Sequence, residues 1–169
     1  MIREHHFDSS REAAEALAGV VADRLRSRLA RRERAVLVVS GGTTPIPLFR
    51  SLRQEELPWG RIVVTLADER WVPLDHEDRN ERLVRTELLV DRAAEARFVG
   101  FVTTAATPEE GAELSERNLA PLQPFDVVVL GMGTDGHTAS LFPHAPGLEG
   151  ALDPASRRTC TVVDPPAAP

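Results

Sequence analysis

The residues best suited to chemistry are Asp135 and His137, two positions apart in the glycine-rich stretch GMGTDGH at 131–137. This stretch follows an apolar run at 127–130, and such a run closed by glycines is typical of a buried strand that enters a tight loop. In open α/β sheets, ligands bind beyond the carboxyl ends of the strands. We therefore predict that this loop is the active centre. Its candidate ligand-binding glycines are Gly131, Gly133 and Gly136.

The same stretch also fits the dinucleotide-binding pattern G-x-G-x-x-G, which is weak evidence by itself. Two features argue against a nucleotide. Asp135 would place a carboxylate beside a pyrophosphate, and Pro143 and Pro146 would stop the following helix after about two turns, whereas a dinucleotide fold needs a long crossover helix.

A second glycine-containing loop is a candidate anion site. The residues Ser40, Gly41, Gly42, Thr43 and Thr44 follow the apolar run 35–39 and precede Pro45, which suits a first helical position. A strand, a Gly-Gly turn with hydroxyl groups and a helix N-terminus together favour phosphate binding. The alternative is a plain strand–helix turn capped by Thr44.

Charged residues follow a third predicted strand, at 61–66. Asp68 and Arg70 stand in the stretch ADERWVP at 67–73 and would lie in the same crevice as the two glycine loops. The guanidinium of Arg70 could hold a phosphate or a sugar carboxylate. The alternative is an internal ion pair that fixes the loop.

Helices alternate with these strands. Ser9 and Glu12 form a capping box, and the apolar spacing after them predicts a helix that buries Ala13, Ala16, Leu17, Val20, Val21 and Leu25. Further helices are predicted at 46–52, 79–90, 107–119 and from about 138, with strands at 97–102 and 157–163. Strands alternating with helices predict a doubly wound α/β fold, with a mostly parallel sheet covered on both faces, as in Rossmann-like proteins.

Composition narrows the classes of function. The 169 residues carry a formal net charge of −6, and all 20 basic residues are Arg, which argues against a nucleic-acid binder and removes lysine chemistry. No apolar run approaches the ~20 residues of a membrane span. The single cysteine, Cys160, fits a reducing cytosol and a packing role. The acidic run 75–78 lacks the alternating ligands of a calcium loop, so we predict a solvated turn and no metal site.

Three motifs taken together resemble the 6-phosphogluconolactonase family: SGGTTP at 40–45, ADERWVP at 67–73 and GMGTDGHTASLFP at 131–143. The resemblance runs from the first strand to about residue 148. It implies hydrolysis of 6-phospho-D-glucono-1,5-lactone to 6-phosphogluconate in the pentose phosphate pathway, without metal or cofactor. It also implies the α/β fold that these lactonases share with glucosamine-6-phosphate deaminases.

Two alternatives to this function stay open. Glucosamine-6-phosphate deaminases share the fold but carry a functional glutamate five residues after the histidine, where this chain has Phe142. The other alternative is a non-catalytic module that binds a sugar phosphate.

A lactone needs a nucleophile, a base and stabilisation of the tetrahedral oxyanion. We predict that His137 is the general base that activates water, because imidazole titrates near neutral pH. Asp135 would either orient His137 or shape the loop. Backbone N–H groups of 131–136 are candidate oxyanion donors, and residues 40–44 with Arg70 would hold the phosphate.

The chain departs from the family in two places. Arg79-Asn80 stands where the family commonly has Ser-Asn, so we expect a changed loop there. Lactonases also continue beyond the point where this chain ends, so we expect 1–169 to be a single α/β domain that is incomplete at its C-terminus, with 164–169 as an irregular tail. The expected partner is a small sugar-phosphate lactone, with neither nucleic acid nor membrane. The oligomeric state is open, with a monomer favoured, and the expected location is cytoplasmic.

Overall fold

A computed structural model describes residues 2–165. Four parallel strands form one sheet in the order β3-β2-β1-β4. The strands are β1 (Ala35–Val39), β2 (Ile62–Leu66), β3 (Arg97–Val99) and β4 (Val127–Val129). The helices are α1 (Ser10–Leu29), α2 (Ile46–Leu52), α3 (Asn80–Glu87), α4 (Pro108–Leu119) and α5 (Leu148–Ala151). The predicted parallel α/β fold is therefore confirmed.

The central pair of strands determines the register of the sheet. All five residues of β1 pair with β2, from Ala35 opposite Ile62 to Val39 opposite Leu66. Every residue of both strands is buried, as expected for a parallel sheet covered on two faces. One face packs on α1 and α2 through residues such as Leu37, Val64 and Phe49. Val38, Thr65 and Val128 lie on the other face, where they line a cavity together with α4.

Helix α1 begins as predicted, and of its six predicted positions Val21 and Leu25 are buried, Ala13 is half-buried and Ala16 is exposed. Ser9 caps it, since its hydroxyl accepts the N–H of Glu12 at 3.2 Å. Leu17 and Val20 are 39% and 54% exposed, so their predicted burial was wrong. The buried residues are Ala14, Ala18, Val21, Ala22, Leu25 and Leu29. Alanines four residues apart let the helix approach its neighbours closely. The helix therefore buries its alanine-containing face, and the larger Leu17 and Val20 stay exposed.

The segment after His137 is not the predicted helix. Thr138 and Leu141 form an isolated antiparallel bridge around Ala139, whose φ of 49° lies in the left-handed region. That backbone conformation interrupts a right-handed helix. The next helix, α5, begins only at Leu148, after the left-handed Gly147.

The predicted strand at 157–163 was also wrong. No residue of this stretch pairs with the sheet. Instead, the carboxylate of Glu116 on α4 accepts the N–H groups of Thr159 and Cys160, both at 2.7 Å. A side chain thus takes the hydrogen bonds that a neighbouring strand would have supplied. Cys160 is buried, as predicted, and of the predicted tail 164–169 only residues 164 and 165 are described, both irregular.

Strand β4 is an edge strand, with β1 as its partner within the described residues. Val128, Leu130 and Met132 along this edge are 49%, 52% and 82% exposed.

The helices at 79–90 and 107–119 are confirmed, although α3 ends early, at Glu87. Across residues 2–165, no helix has both the length and the apolar character to cross a membrane.

Candidate active site

The candidate site lies where the strand order reverses, between β1 and β4. The chain leaves β1 for α2 on one side and reaches β4 by crossing the sheet, so the loops that follow these two strands flank a crevice. Ser40 joins the two strand ends, because its hydroxyl donates to the carbonyl of Val129 at 3.2 Å. The loops at 40–45 and 130–143 thus meet at one edge of the sheet, as the sequence predicts.

The loop before His137 is closed by its own backbone. The N–H of Gly133 donates to the carbonyl of His137 at 2.8 Å, and that of Gly136 donates to the carbonyl of Gly133 at 3.0 Å. These two amides are therefore engaged within the loop and do not serve as the predicted oxyanion donors. Gly133 packs directly against the imidazole, since a Cβ at this position would lie 2.3 Å from Nδ1 of His137.

Asp135 both orients His137 and shapes the loop. Its Oδ1 lies 2.5 Å from Nδ1 of His137 and accepts the backbone N–H of the same residue at 3.2 Å. The backbone bond and then the ring bond hold the pKa of Asp135 below its ordinary value. Because a carboxylate only accepts hydrogen bonds, Nδ1 carries the proton, and Nε2 is the nitrogen with a free lone pair. Among the described residues, no hydrogen bond engages Nε2.

The ring of Phe142 covers one face of His137. The two ring centroids are 4.6 Å apart, and the planes meet at 29°. An apolar ring in this position excludes water from one face of the imidazole. Together with Asp135, it fixes the direction in which Nε2 points.

The loop after β2 contributes Asp68 and Arg70. Oδ2 of Asp68 accepts the hydroxyl of Ser140 at 2.7 Å, which ties this loop to the one that carries His137. The guanidinium of Arg70 is exposed and makes no ion pair or hydrogen bond within residues 2–165. The alternative of an internal ion pair for Arg70 is therefore wrong, because the buried pair in this region is Glu69 with Arg79, 3.8 Å apart.

The 40–45 loop is open to an anion. Gly42 has a φ of 83°, and the side chains of Thr43 and Thr44 are exposed. Helix α2 starts without a side-chain capping bond, so the alternative in which Thr44 caps it was wrong. Gly41 contacts Asn80, whose Oδ1 would lie 1.7 Å from a Cβ at position 41.

One open cavity of about 1560 Å³ brings four of the twelve candidate residues together, Asp68, Arg70, Asp135 and His137. Its wall also includes Ser140, but not residues 40–44. The 40–44 loop joins this group through the contacts of Ser40 and Gly41. Within the described part of the chain, no group of three or more His, Cys, Asp or Glu residues is arranged to hold a metal ion.

Sequence reasoning missed three residues at the site: Asn80, Ser140 and Phe142. Asn80 and Ser140 act through contacts with Asp68, which is distant in sequence from Ser140, whereas Phe142 contacts His137 within the 131–143 motif. Two signals were present in the sequence: Arg79 departs from the Ser-Asn of the family, and Phe142 stands where deaminases carry a glutamate, but neither indicated the contacts.

Comparisons with known proteins show which proteins the chain resembles as a whole. The family model described as glucosamine-6-phosphate isomerases/6-phosphogluconolactonase matches residues 8–169. The 6-phosphogluconolactonase of Pseudomonas aeruginosa is 53% identical over 164 residues, which are 96% of this chain and 69% of that protein. The 6-phosphogluconolactonase of Pseudomonas putida is 45% identical over 168 residues, or 99% of this chain and 69% of the relative.

A solved structure extends the similarity to three dimensions. The crystal structure of a 6-phosphogluconolactonase from Shewanella baltica superposes with a TM-score of 0.92 at 43% identity, over 100% of this chain and 73% of that one. The present chain thus spans about 69% of the length of both Pseudomonas relatives.

Proposed function

Because the chain belongs to the family of glucosamine-6-phosphate isomerases and 6-phosphogluconolactonases, we propose that it hydrolyses 6-phospho-D-glucono-1,5-lactone to 6-phospho-D-gluconate. The observation that carries this proposal is one cavity wall that holds both an oriented imidazole, His137, and the guanidinium of Arg70, which has no partner among the described residues. A phosphorylated lactone needs both groups, a base at one end and an anion partner at the other. This activity belongs to the oxidative branch of the pentose phosphate pathway.

His137 begins the reaction as a general base. Nε2 removes a proton from water as the water oxygen attacks the C1 carbonyl, which gives a tetrahedral intermediate and an imidazolium. Asp135 stabilises the imidazolium through the bond to Nδ1, as the aspartate of a Ser-His-Asp triad does for its catalytic histidine.

The same histidine ends the reaction as a general acid. The tetrahedral intermediate collapses, the bond from C1 to the ring oxygen breaks, and the imidazolium returns its proton to that oxygen. The product is an open-chain acid with a new hydroxyl, and His137 regains its neutral form. No G-x-S-x-G segment is present in the sequence, so direct attack by water is the simpler scheme.

Binding of the phosphate falls to Arg70 and to the 40–44 loop. The guanidinium offers a planar set of donors that suits phosphate oxygens. The exposed hydroxyls of Thr43 and Thr44 and the adjacent glycine amides would complete the anion site. One sheet carries all these loops, which supports treating 1–169 as a single α/β domain. The phosphorylated substrate and the buried free thiol of Cys160 support a cytoplasmic location.

The test is acid release from freshly prepared 6-phosphogluconolactone, corrected for spontaneous hydrolysis and measured with this chain. Hydrolysis above the spontaneous rate supports the proposal. Ammonia release from glucosamine 6-phosphate would favour the deaminase instead. Saturable binding of the sugar phosphate without turnover would favour a binding module, and either of these results overturns the lactonase assignment.

A further inference from the structure

The start of helix α3 contacts the loops that follow the sheet strands. Asn80, which is 3% exposed, donates from Nδ2 to the carbonyl oxygen of Asp68 at 3.0 Å and to its Oδ1 at 3.3 Å. On its other side, Asn80 fills the space beside Gly41. One amide therefore touches both the loop after β1 and the loop after β2.

Asp68 extends this contact to the loop that carries His137. Its Oδ1 faces Asn80 and its Oδ2 accepts the hydroxyl of Ser140, 72 residues further along the chain. Both carboxylate oxygens are thus engaged by neutral donors. This arrangement makes Asp68 a bridge between Asn80 and Ser140 and leaves proton transfer to His137.

A buried ion pair next to Asp68 and Asn80 holds the residues of this bridge in place. The side chains of Glu69 and Arg79 are 1% and 2% exposed. The two oxygens of Glu69 accept the N–H groups of Asn80 at 2.8 Å and Glu81 at 2.9 Å, and so fix the first turn of α3. Arg79 also donates to the hydroxyl of Thr103, in the loop after β3. Residues 79–81 thereby reach, directly or through Asp68, the loops after all four strands.

We propose that Asn80 is a positioning residue which, through Asp68 and Ser140, fixes the His137 loop relative to the loops that hold the phosphate. We call these three residues the Asn80 clasp. This inference rests on the proposed function for its effect on rate, and on the hydrogen bonds alone for its effect on the loop. Hydrolysis depends on the distance between Nε2 of His137 and the C1 carbonyl, and a displacement of about 1 Å can cost roughly a hundredfold in rate.

The first arm of the test is kinetic and uses Asn80→Ala, Ser140→Ala and the double variant. We expect each single variant to lower kcat by about 10–100-fold with a smaller change in KM. Because both residues act through Asp68, the kcat of the double variant should equal that of the less active of the two single variants. Ser140→Thr retains the hydroxyl and should recover most of the rate. Losses that multiply in the double variant would overturn the clasp.

The second arm is amide hydrogen exchange of the 130–143 segment, read by mass spectrometry on the full chain. Exchange should accelerate in both single variants, because Ser140→Ala removes the bond of the segment to Asp68, and Asn80→Ala removes the bonds that hold the Asp68 carboxylate in place. Val84→Ala is the matched control, since it removes a buried apolar group from the same helix without touching the clasp. It should lower the thermal midpoint and leave the exchange of 130–143 and kcat as in the wild type.

The two arms separate the two hypotheses. If the wild-type chain hydrolyses no lactone, the proposed function fails, and exchange alone decides the clasp. If the wild type is active but both single variants keep wild-type kcat and wild-type exchange, the clasp is refuted and the proposed function stands.

Discussion

Phe142 stacks on His137, with ring centroids 4.6 Å apart. The contact places an apolar group at the position where related deaminases carry a carboxylate. Within residues 2–165, the charged partner of the imidazole is Asp135.

Replacing Phe142 by Glu should shift the pH dependence of hydrolysis. A carboxylate beside the ring favours the protonated imidazolium, which cannot act as a base, so the acidic limb of the kcat profile should move to higher pH. Phe142→Leu is the control because it retains an apolar cover. We expect its profile to keep the wild-type position, and an unmoved limb in Phe142→Glu would contradict the role of this contact.

Removing the imidazole should reduce turnover far more than binding. We expect His137→Ala to lower kcat by roughly 10²–10⁴-fold with little change in KM, as for the loss of a general base. His144→Asn provides the comparison, since His144 is exposed and its φ of 65° suits asparagine. A His137→Ala variant that retains near-normal kcat would remove His137 from the base role.

Arg70→Ala should raise KM and leave kcat less affected, because in the proposed function the guanidinium binds the phosphate, which does not react. The variant should also discriminate less between the phosphorylated lactone and its dephosphorylated form. Arg92→Ala is a matched control, as it removes an Arg whose surface ion pair with Glu56 lies elsewhere. Undiminished discrimination in Arg70→Ala would show that the phosphate is held by other groups.

Gly133→Ala should impair catalysis through steric displacement. The added Cβ would lie 2.3 Å from the imidazole and 2.8 Å from Oδ1 of Asp135, so the pair must shift. We expect kcat to fall by about 10²-fold, in line with misplacement of a catalytic group. Gly131→Ala meets no atom within 4 Å and should lose much less. Equal losses in the two variants would argue against a tightly held ring.

The 157–165 segment should detach as the pH falls. Burial raises the pKa of Glu116, but the N–H groups of Cys160 and Thr159 outweigh this effect and hold the pKa below its ordinary value. The stabilisation is therefore complete above the pKa of an unfolded glutamate and is lost as pH falls through the lowered value. The intrinsic hydrogen-exchange rate of an amide itself falls as pH drops, so the measured quantity is the protection factor, and that of Thr159 and Cys160 should decrease over that range.

Glu116→Gln should accelerate the same exchange by roughly tenfold at neutral pH, since bonds to a charged acceptor are stronger. Glu113→Gln, on the exposed side of α4, serves as the control. If exchange in the segment is equal in both variants, Glu116 does not anchor it.

The sequence predicted the loops of the site because their positions follow from local rules. Apolar runs at 35–39 and 127–129 end in glycines, and parallel pairing brings the carboxyl ends of such strands to one edge. The pairing of Asp135 with His137 could also be predicted from the sequence, since the two residues are two positions apart.

What the sequence did not predict depends on contacts between distant segments. Ser140 and Asp68 are 72 residues apart, and no periodicity relates them. In α1, Val21 and Leu25 are buried as predicted but Leu17 and Val20 are exposed, because the close approach that Ala18 and Ala22 permit depends on the surface they meet. The turn at Ala139 could not be predicted from the sequence either, since alanine usually favours a helix.

The bare margin of β4 has a practical consequence. Its backbone donors and acceptors have no neighbour on one side within the described residues, and Val128, Leu130 and Met132 stand beside them. Such a margin is a template on which a strand of another molecule can pair. Concentrated solutions of the protein should therefore tend to aggregate, and kinetic measurements are best made in dilute solution.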